Sequence, residues 1–156
     1  MIEKLETTHR EVLQGMQASV PVHVVPIAEK FGLTVFKNRN FPDNLSGLIK
    51  KDADGAYEIH VNGNHPITRQ RFTMAHELAH FLLHKEEIGD GITDDYLYRS
   101  TLTSRIEREA NELAAEILMP AHLLLDEPYK SMTIAEQADE FWVSRVAMDI
   151  RLGKLL

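Results

Sequence analysis

The pentapeptide His76-Glu77-Leu78-Ala79-His80 sets two imidazoles four residues apart and puts a carboxylate next to the first. On a helix, positions i and i+4 lie about 6 Å apart along the axis and about 40° apart around it, so both rings can meet one ion. This is the H-E-x-x-H pattern of zinc peptidases, in which the histidines bind metal and the glutamate moves protons. Such a pentapeptide arises by chance in on the order of one chain in a few hundred of this length, so its surroundings must decide.

Two imidazoles need a third ligand. His84 stands eight residues after His76, about 12 Å along the axis, too far for three rings to converge at Zn–N distances near 2.1 Å. It is read instead as a support for a ligand or a helix cap. The metzincin continuation is missing, because Leu83 occupies its glycine position and Glu86 its third-histidine position. The chain has no cysteine, which excludes thiolate ligands and a cysteine nucleophile. Glu107 is the best candidate. On a helical wheel it falls between Ala114 and Leu118, so its carboxylate faces the packed side, where an unpaired charge is costly. Asn111 follows one turn later and could orient a ligand. The competing readings are a surface glutamate and an incidental helical asparagine.

The elements that must position these residues can be read from pattern. Ile67 to His84 predicts a helix entered through Pro66, with Phe72, Met74, Ala75, Leu78, Ala79, Phe81, Leu82 and Leu83 covering more than half of its circumference. A polar arc of roughly 100° remains, holding Arg69, Thr73, His76, Glu77, His80 and His84. Polar groups on a buried helix need partners, which a cleft or a metal supplies. A second helix runs from about Ser104 to Met119, stopping before Pro120. Its apolar face is Ile106, Ala110, Leu113, Ala114, Ile117 and Leu118, and Arg105, Arg108, Glu109, Glu112 and Glu116 form its solvated face. Upstream, Glu3 to Met16 and Pro26 to Lys30 read as helices, the latter closed by Gly32. Leu33 to Phe36, Leu45 to Lys50 and the alternating Tyr57 to Val61 read as strands, with a hairpin turn at Asp52 to Gly55. Thr133 and Glu136 make a capping box for a helix to about Glu140, and Ser144 caps a last helix to about Leu152.

With 156 residues, 44% hydrophobic and 26% charged, the chain predicts one globular domain, 1–156, with the 133–156 helix pair packed on it. The N-terminal MIEKLETTHR lacks the apolar core of a signal peptide, and no run approaches the roughly 18 apolar residues of a membrane span. The expectation is a cytoplasmic protein with no membrane partner. A formal net charge of -7 argues against a surface that binds nucleic acid and favours a basic or neutral partner.

These residues carry a resemblance. PIAEKFGLTVF, Asn62, RQRFTMAHELAHFLLH, EREANELAAEILMP and FWVSRVAMDIRL together resemble the ImmA/IrrE family of metallopeptidases over nearly the whole chain. The specific stretches are RQRFTMAHELAHFLLH and EREANELAAEILMP, which pair the zinc motif with the family's downstream Glu-x-x-Ala-Asn at a plausible separation. The resemblance implies an α/β (α+β) zincin-like fold with a small, largely antiparallel sheet, an H-E-x-x-H helix, a glutamate helix and a C-terminal helix pair. It implies one Zn²⁺ per chain on His76, His80 and Glu107, with Glu77 catalytic. It also implies a zinc metalloendopeptidase whose substrate is a helix-turn-helix transcriptional repressor.

Rival readings follow from particular features. A regulatory module could keep the fold and metal and bind a repressor without cutting it, although intact Glu77 counts against that. The C-terminal pair, with Ala138, Phe141, Val143, Ser144 and Ala147, resembles a helix-turn-helix, which would make the chain a DNA-binding regulator. Trp142 at the turn and the mixed charges favour simple core packing. The acidic stretch Glu86 to Asp95 reads as a solvated loop, or as a lid attracting basic segments. Tyr96, Tyr98, His60 and the strand face carrying Glu58 and His60 are candidates to border the cleft or stabilise an oxyanion.

Overall fold

The computed structural model describes residues 1–95 and 104–156. In chain order these form a 3₁₀ turn (Ile2–Lys4), α1 (Thr7–Gly15), α2 (Val24–Lys30), β1 (Thr34–Asn38), β2 (Leu45–Lys51), β3 (Tyr57–Asn62) and α3 (Ile67–Leu83). There follow α4 (Lys85–Ile88), β4 (Gly91–Asp95), α5 (Ser104–Leu118), α6 (Ala121–Leu124), a 3₁₀ turn (Tyr129–Ser131), α7 (Ile134–Phe141) and α8 (Arg145–Leu155). The architecture is α+β, as expected.

The four strands lie in the order β1-β3-β2-β4, with β1 parallel to β3 and the other two pairings antiparallel. Period-two alternation dictates how the sheet packs, because Tyr57, Ile59 and Val61 of β3 and Ile49 of β2 are buried while Glu58 and His60 turn to the other face. The β2–β3 hairpin closes through Asp52, whose carboxylate accepts from the amides of Asp54 and Ala56 at 2.8 and 3.0 Å. Gly47 sits opposite Val61 on the inner face, where a Cβ would come within 2.6 Å of Thr73 Cγ2 and 2.7 Å of the His60 carbonyl oxygen. Only a residue without a side chain lets α3 approach β2 this closely.

Helix α3 is the centre of the molecule. Met74, Ala75, Leu78 and Ala79 are buried, and so are its polar residues Thr73, His76, Glu77 and His80. Helix α5 packs along it through Ala110, Leu113 and Ala114, whose small members allow close approach. Truncating a core side chain here, such as Leu78→Ala, costs about 2–5 kcal/mol.

Two buried arginines tie the C-terminal helices down. The Arg71 guanidinium on α3 donates to the carbonyls of Val22, Phe141 and Trp142 at 2.8, 3.4 and 3.1 Å, which closes the end of α7. Arg151 on α8 donates to the Met119 carbonyl, just past α5, at 2.9 Å. The Thr133–Glu136 capping box forms with both reciprocal bonds, at 2.9 and 3.2 Å, and Ser144 caps α8. Trp142 takes the left-handed conformation, φ 52°, between the helices. Phe141 and Met148 are buried, so the core packing weighed for this pair is present.

Several boundaries differ from the pattern. The first predicted helix is a 3₁₀ turn and α1, separated at Leu5, which dips into the core. The short helix α2 begins two residues before Pro26, because proline is tolerated anywhere in a first turn, where amides have no intrahelical partner. The stretch read as a solvated loop or lid is α4 followed by the edge strand β4, bonded to β2. Its acidic composition hid a strand whose pairing comes from backbone groups.

Candidate metal centre

Helix α3 brings His76 and His80 to one face, and α5 brings Glu107 against them. His76 Nε2 and His80 Nε2 are 3.0 Å apart, His76 Nε2 is 3.3 Å from Glu107 Oε2, and His80 Nε2 is 3.1 Å from Glu107 Oε1. Among the described residues this is the group whose ligand atoms could hold a metal ion. A tetrahedral ion with bonds of about 2.1 Å holds its ligand atoms about 3.4 Å apart, close to this triangle.

The opposite ring nitrogens explain how the Nε2 atoms come to point inward. His76 Nδ1 lies 2.8 Å from Asn111 Oδ1, an oxygen that can only accept, so the ring proton sits on Nδ1. His80 Nδ1 lies 3.1 Å from His84 Nδ1, and His84 Nε2 lies 3.3 Å from Glu109 Oε2. With Glu109 accepting from His84 Nε2–H, His84 Nδ1 is left as an acceptor for the His80 Nδ1 proton. Both Nε2 lone pairs then face the same point, together with a carboxylate. Such a gathering of lone pairs repels itself unless a cation or protons lie between them.

The electrostatics favour the cation-ready form. Burial lowers the pKa of His80 below its usual range and, with the charges of His76 and His84, outweighs the opposing Glu107. Burial alone would raise the Glu107 pKa, but the facing His76 and His80 rings, which donate to it and carry charge whenever they are protonated, hold it far below the ordinary carboxylate range. Neutral imidazoles and an ionised carboxylate are what a zinc ion requires. The residues therefore fit a zinc site by donor chemistry and by spacing.

Glu77 is fully buried on the same turn as His76. Beside the ligands opens a cleft of about 850 Å³ between α3, α5 and α8, with His76, Glu107 and Asn111 in its wall. Reach from outside is thus available to a large ligand.

The structure brings His76, His80 and Glu107 together, Asn111 and His84 each touch one of the two histidines, and Glu77 is buried next to His76 in the chain. Glu109 and Arg105 were missed. Glu109 was read as solvated, yet its side chain is only 12% exposed and its carboxylate is bound to Arg105 at 2.6 Å and to His84. The signal available was the i,i+4 Arg-Glu spacing, which reads as an ordinary surface pair. Glu58 and His60 lie on the outer face of the sheet, where His60 stacks on Phe36 at 4.8 Å, and neither lines the cleft. Tyr96 and Tyr98 lie outside the described residues. His9, His65 and His122 serve packing: His9 meets the Phe31 ring edge-on, while His65 and His122 each bond a backbone carbonyl.

Comparisons with known proteins place the chain in a family. The sequence profile of the IrrE N-terminal-like domain, a peptidase family, matches residues 28–153. The metallopeptidase ImmA of Bacillus subtilis is 30% identical over 120 residues, 75% of this chain and 68% of that protein. The radiation response metalloprotease IrrE of Deinococcus deserti is 39% identical over 79 residues, 47% of this chain and 28% of that protein. This chain therefore spans well under two thirds of IrrE. A Mycobacterium tuberculosis transcriptional regulator has a similar structure, with a TM-score of 0.62 at 16% identity, covering 97% of this chain and 47% of that one. That likeness concerns the fold.

Proposed function

Because this chain belongs to the IrrE N-terminal-like family of metallopeptidases, we propose that it is a zinc-dependent endopeptidase that cuts a helix-turn-helix transcriptional repressor in the cytoplasm. The observation that carries the peptidase reading is the convergence of His76 Nε2, His80 Nε2 and the Glu107 carboxylate within 3.3 Å, beside buried Glu77 and at the wall of an open cleft. The repressor is the substrate class that the resemblance implies. No helix among the described residues is long and apolar enough to cross a membrane, which is compatible with such a partner.

His76, His80 and Glu107 would hold one zinc ion per chain, and bound there it would supply Lewis acidity, polarising a carbonyl and acidifying water toward a pKa of about 7. Glu77 is the general base: its carboxylate accepts the proton of the water attacking the scissile carbonyl and returns it to the leaving amine. Asn111 fixes the ring of His76, and the His84–Glu109 pair fixes that of His80, so neither ligand turns its lone pair away. The whole chain acts as one domain, in which the 133–156 helices wall the cleft. The DNA-binding alternative has less support, because Phe141, Val143 and Met148 are committed to the core.

The test uses the zinc-loaded chain and its Glu77→Gln variant, each incubated with the repressor encoded beside its gene. Cutting by the first and not the second is expected. Cutting by both would remove Glu77 as the base, and intact repressor with both, alongside normal zinc content, would favour the non-cleaving module.

A further inference from the structure

The cleft does not end at the ligands. From His76 and Glu107 it continues into a trough floored by Phe72, Ala115 and Met119 and walled by Val146, Ala147 and Ile150 of α8. Val146 and Ile150 are 70% and 58% exposed, one turn apart on the same face. Large aliphatic side chains left open to water along a concave wall are an unsatisfied apolar surface. Helix α8 is anchored by Arg151 on the Met119 carbonyl and, through the end of α7, by Arg71.

The charges along this trough differ from those of the chain as a whole. Its charged residues away from the ligands are Arg69, Arg108, Arg151, Lys154 and Glu112, and Glu112 already faces Lys154 at 3.8 Å. Among the described residues Arg108 has no carboxylate partner, and exposed Arg69 meets only the Ser46 hydroxyl, at 3.3 Å. Arg69 stands seven residues before His76, about 10 Å of helix, which equals about three residues of extended peptide. An occupant of this trough is therefore apolar near the ligands and acidic further out.

Because the trough is continuous with the site, we infer that it is the specificity groove of the peptidase, with α8 as a substrate-binding wall. It takes a large aliphatic or aromatic side chain beside the scissile bond and an acidic residue about three positions away. The inference rests on the peptidase reading above.

The zinc-loaded chain is incubated with a mixture of short random-sequence peptides, and cut sites are read by mass spectrometry. Leu, Ile, Met or Phe should be enriched about tenfold at one position adjoining the cut, since one well-filled apolar pocket discriminates on that order. Val146→Asp and Ile150→Asp should lose that enrichment while zinc content and Tm stay at wild-type values, as both side chains are exposed. Cutting without apolar preference, or an unchanged preference in both variants, would overturn the inference and leave the peptidase reading standing. Enrichment of Lys or Arg at the outer position would overturn its charge half. If the wild-type chain cuts nothing, the peptidase reading fails, and the groove is judged by binding of anilinonaphthalene sulfonate. Fluorescence that rises with the wild type and not with Ile150→Asp supports an apolar anchor site, whereas no rise, or an equal rise in both, overturns it.

Discussion

The metal end and the C-terminal end of this molecule both bury charged side chains, and they satisfy them in opposite ways. At the C-terminal end Arg71 and Arg151 donate to backbone carbonyls, and their bonds are used up in closing helix ends. At the metal end His76, His80 and Glu107 face one another with lone pairs directed at one point, while Asn111, His84 and Glu109 occupy the far sides of the rings. Burial of charge is common to both regions. Convergence of three ligand-type groups on one point distinguishes the site, because protons or a cation must lie between them.

The sharpest way to break this contrast is Glu77→Gln. The substitution keeps size and polarity but cannot take a proton, so kcat should fall about 10²- to 10⁴-fold, with zinc content unchanged by metal analysis. Zinc loss in that variant would make Glu77 part of the binding set. Glu107→Ala removes one of three ligand groups, and zinc affinity in chelator competition should fall by more than the roughly 10- to 100-fold expected for a supporting group. Undiminished zinc would show that another residue supplies the third ligand.

The opposite result is expected at the other end. Arg71→Ala leaves three carbonyls short of a donor, which costs about 3 kcal/mol, or about 10 °C in Tm. Zinc stoichiometry should be unchanged, because Arg71 reaches no ligand. A variant that lost zinc without losing stability would erase the division between the two regions.

What the sequence revealed follows the same division. His76, His80 and Glu77 were legible because a helix fixes their spacing locally, and Glu107 because a wheel shows which side of its helix is packed. The sheet was legible where alternation marks it, in Tyr57 to Val61. Strand β4 was not, since an edge strand held by backbone bonds needs no apolar pattern. Gly47 reads as an unremarkable strand glycine, and only the approach of Thr73 to 2.6 Å of its missing Cβ gives it a role. Arg71 was invisible for a similar reason: its partners are carbonyls, which every residue carries. Glu109 sits among other acids on a helix of strongly amphipathic pattern, and its selection by His84 depends on a tertiary contact between α3 and α5.

Glu109 also gives the finest test of the metal end. Its carboxylate would act on a bound zinc through two rings, by accepting from His84 Nε2–H and so keeping His84 Nδ1 and His80 Nε2 unprotonated. Glu109→Ala removes the acceptor, lets the His84 proton move to Nδ1, and should weaken zinc binding about tenfold, at the lower end of the range for such support. Glu109→Gln separates two contributions, since its amide oxygen still accepts the bond but carries no charge. If orientation dominates, Gln should retain zinc to within about threefold, because only the modest charge-assisted part of the hydrogen bond is lost. If Gln is as damaging as Ala, the negative charge itself stabilises the site through the histidine pair. Glu112→Gln, five residues from Glu107 and facing Lys154, should leave zinc affinity unchanged, and a loss there would mean that general acidity of α5, and not the His84 contact, supports the metal.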